Sequence, residues 1–313
     1  MEEIKNFETF YAVAIEPSLA SFRQTEKEVR QWKTAAMLAA IVFVLSAFAS
    51  VAGIASVNFN SVWIGAAALL IISTYKFYRK ENSLVDDYKE RVVKTIIEYL
   101  GAGLEYKPDL TIPQREYVQS GLYRRNYDYY EGDDLIKGAY KGVSFHCSEL
   151  HTKRDDYMPR NNIATIFKGL FFAAAVNARY TGGTYIWLKG HEQLGASIAD
   201  EEYRLLPFPS TRHIQTGNTV FDDIYTVYTT NPTEARAIVN EGLQNDLLKF
   251  RQQVKRNVTF SVVMGKCYAA IPVKENLFEV PEDLGSKEEI KKHFFTVLLV
   301  LSIINQLNLK KLV

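Results

Sequence analysis

Cysteine is scarce in this chain of 313 residues, which holds only Cys147 and Cys267. Two cysteines cannot build a disulfide framework, and such sparing use fits a reducing compartment. Net charge is nearly absent too, with 37 Lys and Arg against 36 Asp and Glu. That balance excludes a surface built to neutralise many phosphates, so nucleic acid is not an expected partner. Catalytic signatures are also missing: there is no G-x-S-x-G elbow and no H-E-x-x-H helix, and Gly182-Gly183 lacks the Lys-Ser/Thr of a phosphate loop. No cofactor is therefore expected. The most consequential absence is local, because Thr34 to Tyr75 contains no Asp, Glu, Lys or Arg.

That charge-free stretch is broken only by the polar Asn58-Phe59-Asn60-Ser61. Its length predicts a two-helix transmembrane hairpin with spans over about 34–57 and 62–78, since a bilayer core of roughly 30 Å needs about 20 helical residues. The second span is short and relies on Lys76 snorkelling to the headgroups. Arg30 and Lys33 precede the hairpin, and Lys76, Arg79 and Lys80 follow it, while the turn carries no charge. Positive flanks face the cytoplasm, so both termini are expected there, in a multi-pass protein of the inner (cell) membrane. A cleaved signal peptide is the alternative, but the apolar segment starts late and a second one follows at once. Small residues such as Ala39, Ser46, Ala49, Gly53 and Gly65-Ala66-Ala67-Ala68 suit close helix packing in lipid, within the hairpin or between copies.

No proline interrupts the chain between Pro17 and Pro108, so each span is expected to continue as a cytosolic helix. Residues 1–33 then form an N-terminal cytosolic helical segment, with Phe7, Phe10, Tyr11 and Ile15 at helical spacing. Residues 79–313 hold a cytosolic stalk helix, ended by Gly101-Ala102-Gly103, and a folded domain. In that domain Leu135–His151, Ile163–Tyr180 and Thr184–Leu188 read as extended, with Thr181-Gly182-Gly183 as a hairpin turn between the last two. Phe221–Thr229 reads as a strand, and Phe260–Met264 and Cys267–Val273 as a hairpin across Gly265-Lys266. Asn231-Pro232-Thr233-Glu234 carries three helix-start signals at once, and that helical stretch runs to about Val254. Phe294–Leu309 is charge-free but has an apolar core of only about eleven residues, so it reads as a buried or interfacial helix, with a third span as the alternative. The fold class is α+β: a transmembrane hairpin extended by cytosolic helices, then a mainly antiparallel sheet domain with flanking helices.

The strongest candidate for chemistry is His146-Cys147-Ser148-Glu149-Leu150-His151. On a strand, alternate side chains share a face, so Cys147, Glu149 and His151 point together as candidate metal ligands, with Asp222 or Asp223 as candidate partners from elsewhere. Neighbours on one strand rarely converge on one ion, so an ordinary strand is the competing reading. Tyr123-Arg124-Arg125-Asn126-Tyr127-Asp128-Tyr129-Tyr130 mixes aromatics with arginines, yet acidic neighbours make it a solvated loop or edge strand.

Tyr130-Glu131-Gly132-Asp133-Asp134 leading to Ser148-Glu149-Leu150, Gly169-Leu170-Phe171-Phe172 before Asn177, Phe221 and Val227-Tyr228 before Glu234-Ala235-Arg236, and Phe278-Glu279 together resemble the bacterial family of unknown function 3137. The resemblance runs from the hairpin almost to the end of the chain. It implies a membrane-anchored bacterial protein with an uncharacterised soluble domain, and it supplies no catalytic residues. Two functions are then expected in order of preference. The first is a non-enzymatic membrane protein whose cytosolic domain binds, assembles or scaffolds, with the lipid bilayer and a protein partner or a second copy as its contacts. The second is a membrane-tethered metal-dependent hydrolase using the Cys147/Glu149/His151 face.

Overall fold

The computed structural model describes residues 7–52, 60–123, 127–156, 162–176, 179–190, 211–281, 283–307, 309 and 312. The chain divides into two compact units, Met1–Thr95 with Val280–Lys291, and Ile96–Glu279 with Lys292–Val313.

In the first unit a π-helical turn, Tyr11–Ile15, leads into α1 (Glu16–Val51), with Pro17 in its first turn where its missing N–H costs nothing. Helix α2 (Asn60–Tyr88) runs back beside it and passes through a second π-helical turn, Lys89–Val93, into α3 (Lys94–Leu100). The polar ends of α1 and α2 are tied together: Lys76 lies 4.4 Å from the Trp32 ring centroid, Lys80 pairs with Glu28 at 2.7 Å, and Phe22 meets Tyr88 at 6.2 Å. Along the apolar part the usual order of packing is inverted. Ser46, Ala66 and Ser73 are buried, whereas Leu45, Phe48, Leu69 and Ile71 are each more than 60 % exposed. Both buried hydroxyls return to their own helix, Ser46 to the Phe43 carbonyl and Ser73 to that of Leu69. Among the described residues one helix segment, Gln24–Val51 of α1, is long and apolar enough to cross a membrane, and only 6 % of its most apolar window is buried.

Among the described residues the second unit is built on a ten-stranded sheet whose pairings are all antiparallel. Its strands are β1 (Glu105–Lys107), β2 (Tyr129–Glu131), β3 (Leu135–Tyr140), β4 (Val143–Asp156), β5 (Asn162–Ala175), β6 (Gly183–Leu188), β7 (Arg212–Ile214), β8 (Tyr225–Thr229), β9 (Thr259–Val263) and β10 (Lys266–Pro272). The spatial order is β1-β3-β4-β5-β10-β9-β6-β8-β7, with β2 beside β4. Both faces are buried, one through Phe171, Tyr185 and Tyr268 and the other through Phe172, Val262 and Ala269. Helix α4 (Gln114–Ser120) covers the first face, where Tyr117 packs on Phe171 and bonds Thr152, and Trp187 donates its indole N–H to the Leu122 carbonyl. The remaining helices are α5 (Thr219–Asp222), α6 (Pro232–Ile238), α7 (Glu241–Val254) and α8 (Lys287–Gln306).

Several sequence expectations hold. The Asn231 side chain caps α6 by accepting from the Thr233 and Glu234 N–H groups. Phe294, Val297, Val300, Ile303 and Ile304 of α8 are all buried, as a core helix requires. Others need correction. Strands β5 and β6 do not form a hairpin: β5 pairs with β4 and β10, while β6 pairs with β8 and β9. A glycine turn made the local pairing plausible, but β9 and β10, far along the chain, intervene. The β9–β10 turn is Met264-Gly265, both at positive φ, with Lys266 already paired to Val263. Only Tyr225–Thr229 of the Phe221 segment is a strand, because Asn218 caps the short α5 before it. Arg124, Arg125 and Asn126 lie outside the described residues, as does Asn177.

Gly169 is the tightest point of the sheet. It sits at φ +149°, and a Cβ there would lie 2.2 Å from the Ile271 carbonyl oxygen and 2.6 Å from the Val273 nitrogen. Backbone on the neighbouring strand cannot yield as a side chain can. Gly169→Ala is expected to destabilise the chain by about 2–4 kcal/mol, read from thermal or denaturant unfolding; a loss below about 0.5 kcal/mol would contradict this packing.

Candidate functional site: a carboxylate cluster under strand β4

The most concentrated polar arrangement grows from β4 and the loop that precedes β3. Gly132-Asp133-Asp134 follows β2 and must lie flat on β4, since a Cβ on Gly132 would sit 2.3 Å from the Glu149 carbonyl oxygen. Backbone bonds lock the loop in place, from Glu149 N–H to the Asp133 carbonyl at 3.1 Å and from Asp134 N–H to the Pro108 carbonyl at 2.9 Å. Asp134 adopts φ +57°, a conformation that aspartate tolerates better than most residues. As a result, oxygens of Asp133, Asp134 and Glu149 lie within 4.8 Å of one another, with Asp134 and Glu149 buried.

The chain's own donors meet this charge. The Tyr106 hydroxyl bonds Asp134, and the Leu277 N–H bonds Glu149. Beside them, Ser148 bonds Thr111 at 2.8 Å and accepts the Ile112 N–H at 3.0 Å. Phe278 closes the group, its ring 6.4 Å from Tyr106 and 5.7 Å from His293. Burial, countered by the Leu277 N–H and reinforced by Asp133, raises the Glu149 carboxyl from 4.5 to about 7. Burial and the adjacent Asp134 also push the Tyr106 phenol well above its ordinary value.

The β4 face does alternate as expected, with Cys147, Glu149 and His151 on one side and His146 on the other, but its three donors do not gather. Cys147 is fully buried, and burial pushes its thiol up. His151 turns to Thr165 at 3.1 Å, and burial followed by Lys153 and Lys168 lowers its pKa. Glu149 turns to Asp133 and Asp134 instead. Asp222 is occupied elsewhere, accepting from Thr216, and Asp223 lies 3.9 Å from Lys189. Among the described residues, the one group of three or more such donors close enough to hold a metal ion is Asp133, Asp134 and Glu149. All three residues stand in the motifs at 130–134 and 148–150, yet nothing in their spacing along the chain brings them together. The available signal was the steric demand of glycine before two adjacent aspartates.

The folded unit is thus a mixed helix and antiparallel-sheet protein with a self-bonded carboxylate cluster, joined in the same chain to an apolar helical pair. Residues 165–309 match the model of the family described as "Protein of unknown function (DUF3137)". The matched stretch begins within β5, so the motifs at 169–172, 221–236 and 278–279 fall inside it, and those at 130–134 and 148–150 precede it. No curated protein matches the chain. Among solved structures, the mycobacterial trehalose monomycolate transport factor A, TtfA, shares 11 % identity over 69 % of this chain and 94 % of its own length, with a TM-score of 0.35. A likeness that slight carries no functional argument.

The raised Glu149 carboxyl makes stability depend on pH. Between pH 4.5 and about 7 the folded state holds a proton that the unfolded chain has released. Its contribution is therefore complete below about 4.5 and is lost as pH rises through about 7. Glu149→Gln keeps an acceptor for Leu277 and cannot ionise. Relative to the parent it should gain about 1–3 kcal/mol between pH 5 and pH 8.5, seen as a flatter unfolding-midpoint profile. Parallel profiles for the two proteins would refute the assignment.

Proposed function

We propose that this chain is a membrane-anchored protein whose α+β unit is a binding, assembly or scaffold module. In this reading residues 34–57 and 62–78 cross the cell membrane, and residues 1–33 and 79–313 lie in the cytoplasm with both termini. The observation that carries it is the inverted packing of α1 and α2: small and hydroxyl side chains face inward while Leu45, Phe48, Leu69 and Ile71 face outward. In water such a surface would be costly, at about 25 cal/mol per Å2 of apolar area, whereas in lipid it costs nothing and small residues let the backbones approach. The positions of the flanking cations support the same reading. Lys76, Arg79 and Lys80 line one recess with Trp32, and Arg30 pairs with Glu26 at 2.8 Å. Cations and an indole at one level suit a headgroup layer. A binding role is favoured over hydrolysis because the carboxylates are held by internal donors, and the Cys147/Glu149/His151 face presents no converged ligand set.

Replacing both Leu45 and Ile71 by Lys places charge on the outward apolar faces. If these faces meet lipid, each costs about 2.5–3.5 kcal/mol, and the variant should lose resistance to alkaline extraction from membranes. If they meet water, the variant should fractionate like its parent. For topology, a thiol probe that cannot cross membranes should label Asn58→Cys in intact cells and leave a cysteine added after Val313 unlabelled; the reverse pattern would overturn the orientation. Native Cys147 and Cys267 are both buried and give little background.

A further inference from the structure

The sheet contains a notch that follows from strand lengths. Strand β10 ends its pairing with β5 at Pro272–Gly169, and β9 ends its pairing with β6 at Phe260–Ile186. The flanking strands continue beyond these points, β5 through Thr165–Lys168 and β6 through Trp187 and Leu188. At this end of the sheet the two central strands therefore stop short of the strands that flank them. The resulting cleft of about 600 Å3 is walled by those overhangs, by the chain entering β9 at Arg256–Thr259 and by the chain leaving β10 at Pro272–Glu275. That volume falls within the range of small-molecule sites.

Its lining has two distinct parts. The floor is apolar and aromatic, formed by Tyr123, Phe167 and Trp187. These rings are fixed: Trp187 by its bond to the Leu122 carbonyl, and Tyr123 by its 4.8 Å ring contact with Phe167. Among the described residues the rim carries three cations, Lys168, Arg256 and Lys274, against the single carboxylate of Glu275. Arg256 reaches the Pro272 carbonyl at 3.3 Å and Glu275 only at 3.9 Å, and Lys168 is held by the Asn276 side chain at 2.6 Å. Lys168 and Arg256 thus donate their hydrogen bonds to neutral oxygens. Although Lys168 also acts on the Glu149 charge and Arg256 on that of Glu275, the described rim keeps more positive than negative charge over an apolar floor. Neither Glu149 nor its cluster lines this cleft.

We infer that the cleft binds an anionic amphiphile, with its apolar body on Tyr123, Phe167 and Trp187 and its carboxylate or phosphate head at Arg256, Lys274 and Lys168. The inference rests on the binding-module reading of the α+β unit and names its ligand class. It does not require α1 and α2 to cross a membrane, so loss of membrane retention and loss of ligand binding are separate failures.

The test is calorimetric titration of the full chain in phosphatidylcholine nanodiscs, with empty nanodiscs as the blank. Octanoate and octyl phosphate should each bind saturably at one site, and the tighter of the two identifies the head. Inorganic phosphate and octyltrimethylammonium should bind at least tenfold more weakly. Arg256→Gln with Lys274→Gln should weaken octanoate binding at least tenfold at an unchanged unfolding midpoint, whereas Arg256→Lys with Lys274→Arg should retain it. Should the first pair disturb folding, Thr165→Trp, which fills the cleft from its exposed wall, must abolish binding instead. The inference is overturned if octyltrimethylammonium matches octanoate, if inorganic phosphate alone accounts for the affinity, or if neither the Gln pair nor Thr165→Trp changes binding.

Discussion

Strand β5 has to satisfy backbone hydrogen bonds along both edges while burying side chains on both faces, and the α+β unit is arranged around that requirement. On one edge it pairs with β4 over nearly its whole length, from Phe145–Ala174 to Asp156–Asn162, with a register shift at Thr152/Lys153. On the other it pairs with β10 only from Gly169 onward. Because a strand's side chains alternate, a one-residue slip would exchange Phe171 for Phe172 and reverse both cores at once. The glycine at 169 allows β10 to approach where any side chain would collide with Ile271 and Val273.

Two polar features follow from this frame. Pairing Glu149 with Leu170 aims a carboxylate into the second face, where it survives because Leu277 supplies an N–H and because a proton can neutralise it near pH 7. A buried carboxylate beside two others is tolerable only under such conditions. The unequal reach of β5 and β10 leaves the notch, so the same strand creates both the protected cluster and the open cleft. In the other unit the constraint is reversed. The α1–α2 pair gains contact through small residues and turns its large apolar side chains outward, an arrangement that makes sense where the surroundings are themselves apolar.

Much of the local structure was legible from residues alone. Asn231-Pro232 announces α6 because capping and the fixed proline φ act within one turn. The continuation of the helix from Asn60 to Leu100 and its glycine stop follow from hydrophobic spacing and the absence of proline, whereas the π-helical turn at Lys89–Val93 does not. The shortness of the apolar run in Phe294–Leu309 agrees with its burial in α8. Pairing partners were less legible. Thr181-Gly182-Gly183 has hairpin chemistry, but the Gly182 and Thr181 amides are taken by the Glu234 carboxylate of α6 instead, and β6 joins β8 and β9. The side chains of Cys147, Glu149 and His151 share a face as alternation demands, yet sharing a face did not bring their donor atoms together.

By itself the sequence determined the charge-free helical pair, the capped helices, the alternating strands and the α+β class, because each depends on groups a few residues apart along the backbone. Tertiary structure alone decided that β9 and β10 would lie between β5 and β6, that Asp133 and Asp134 would meet Glu149, and that a cation-rimmed notch would open over Tyr123, Phe167 and Trp187. Those outcomes join segments from fifteen to about a hundred and fifty residues apart in the chain. They are selected by closing backbone hydrogen bonds and filling two sheet faces together, a condition that no single segment carries.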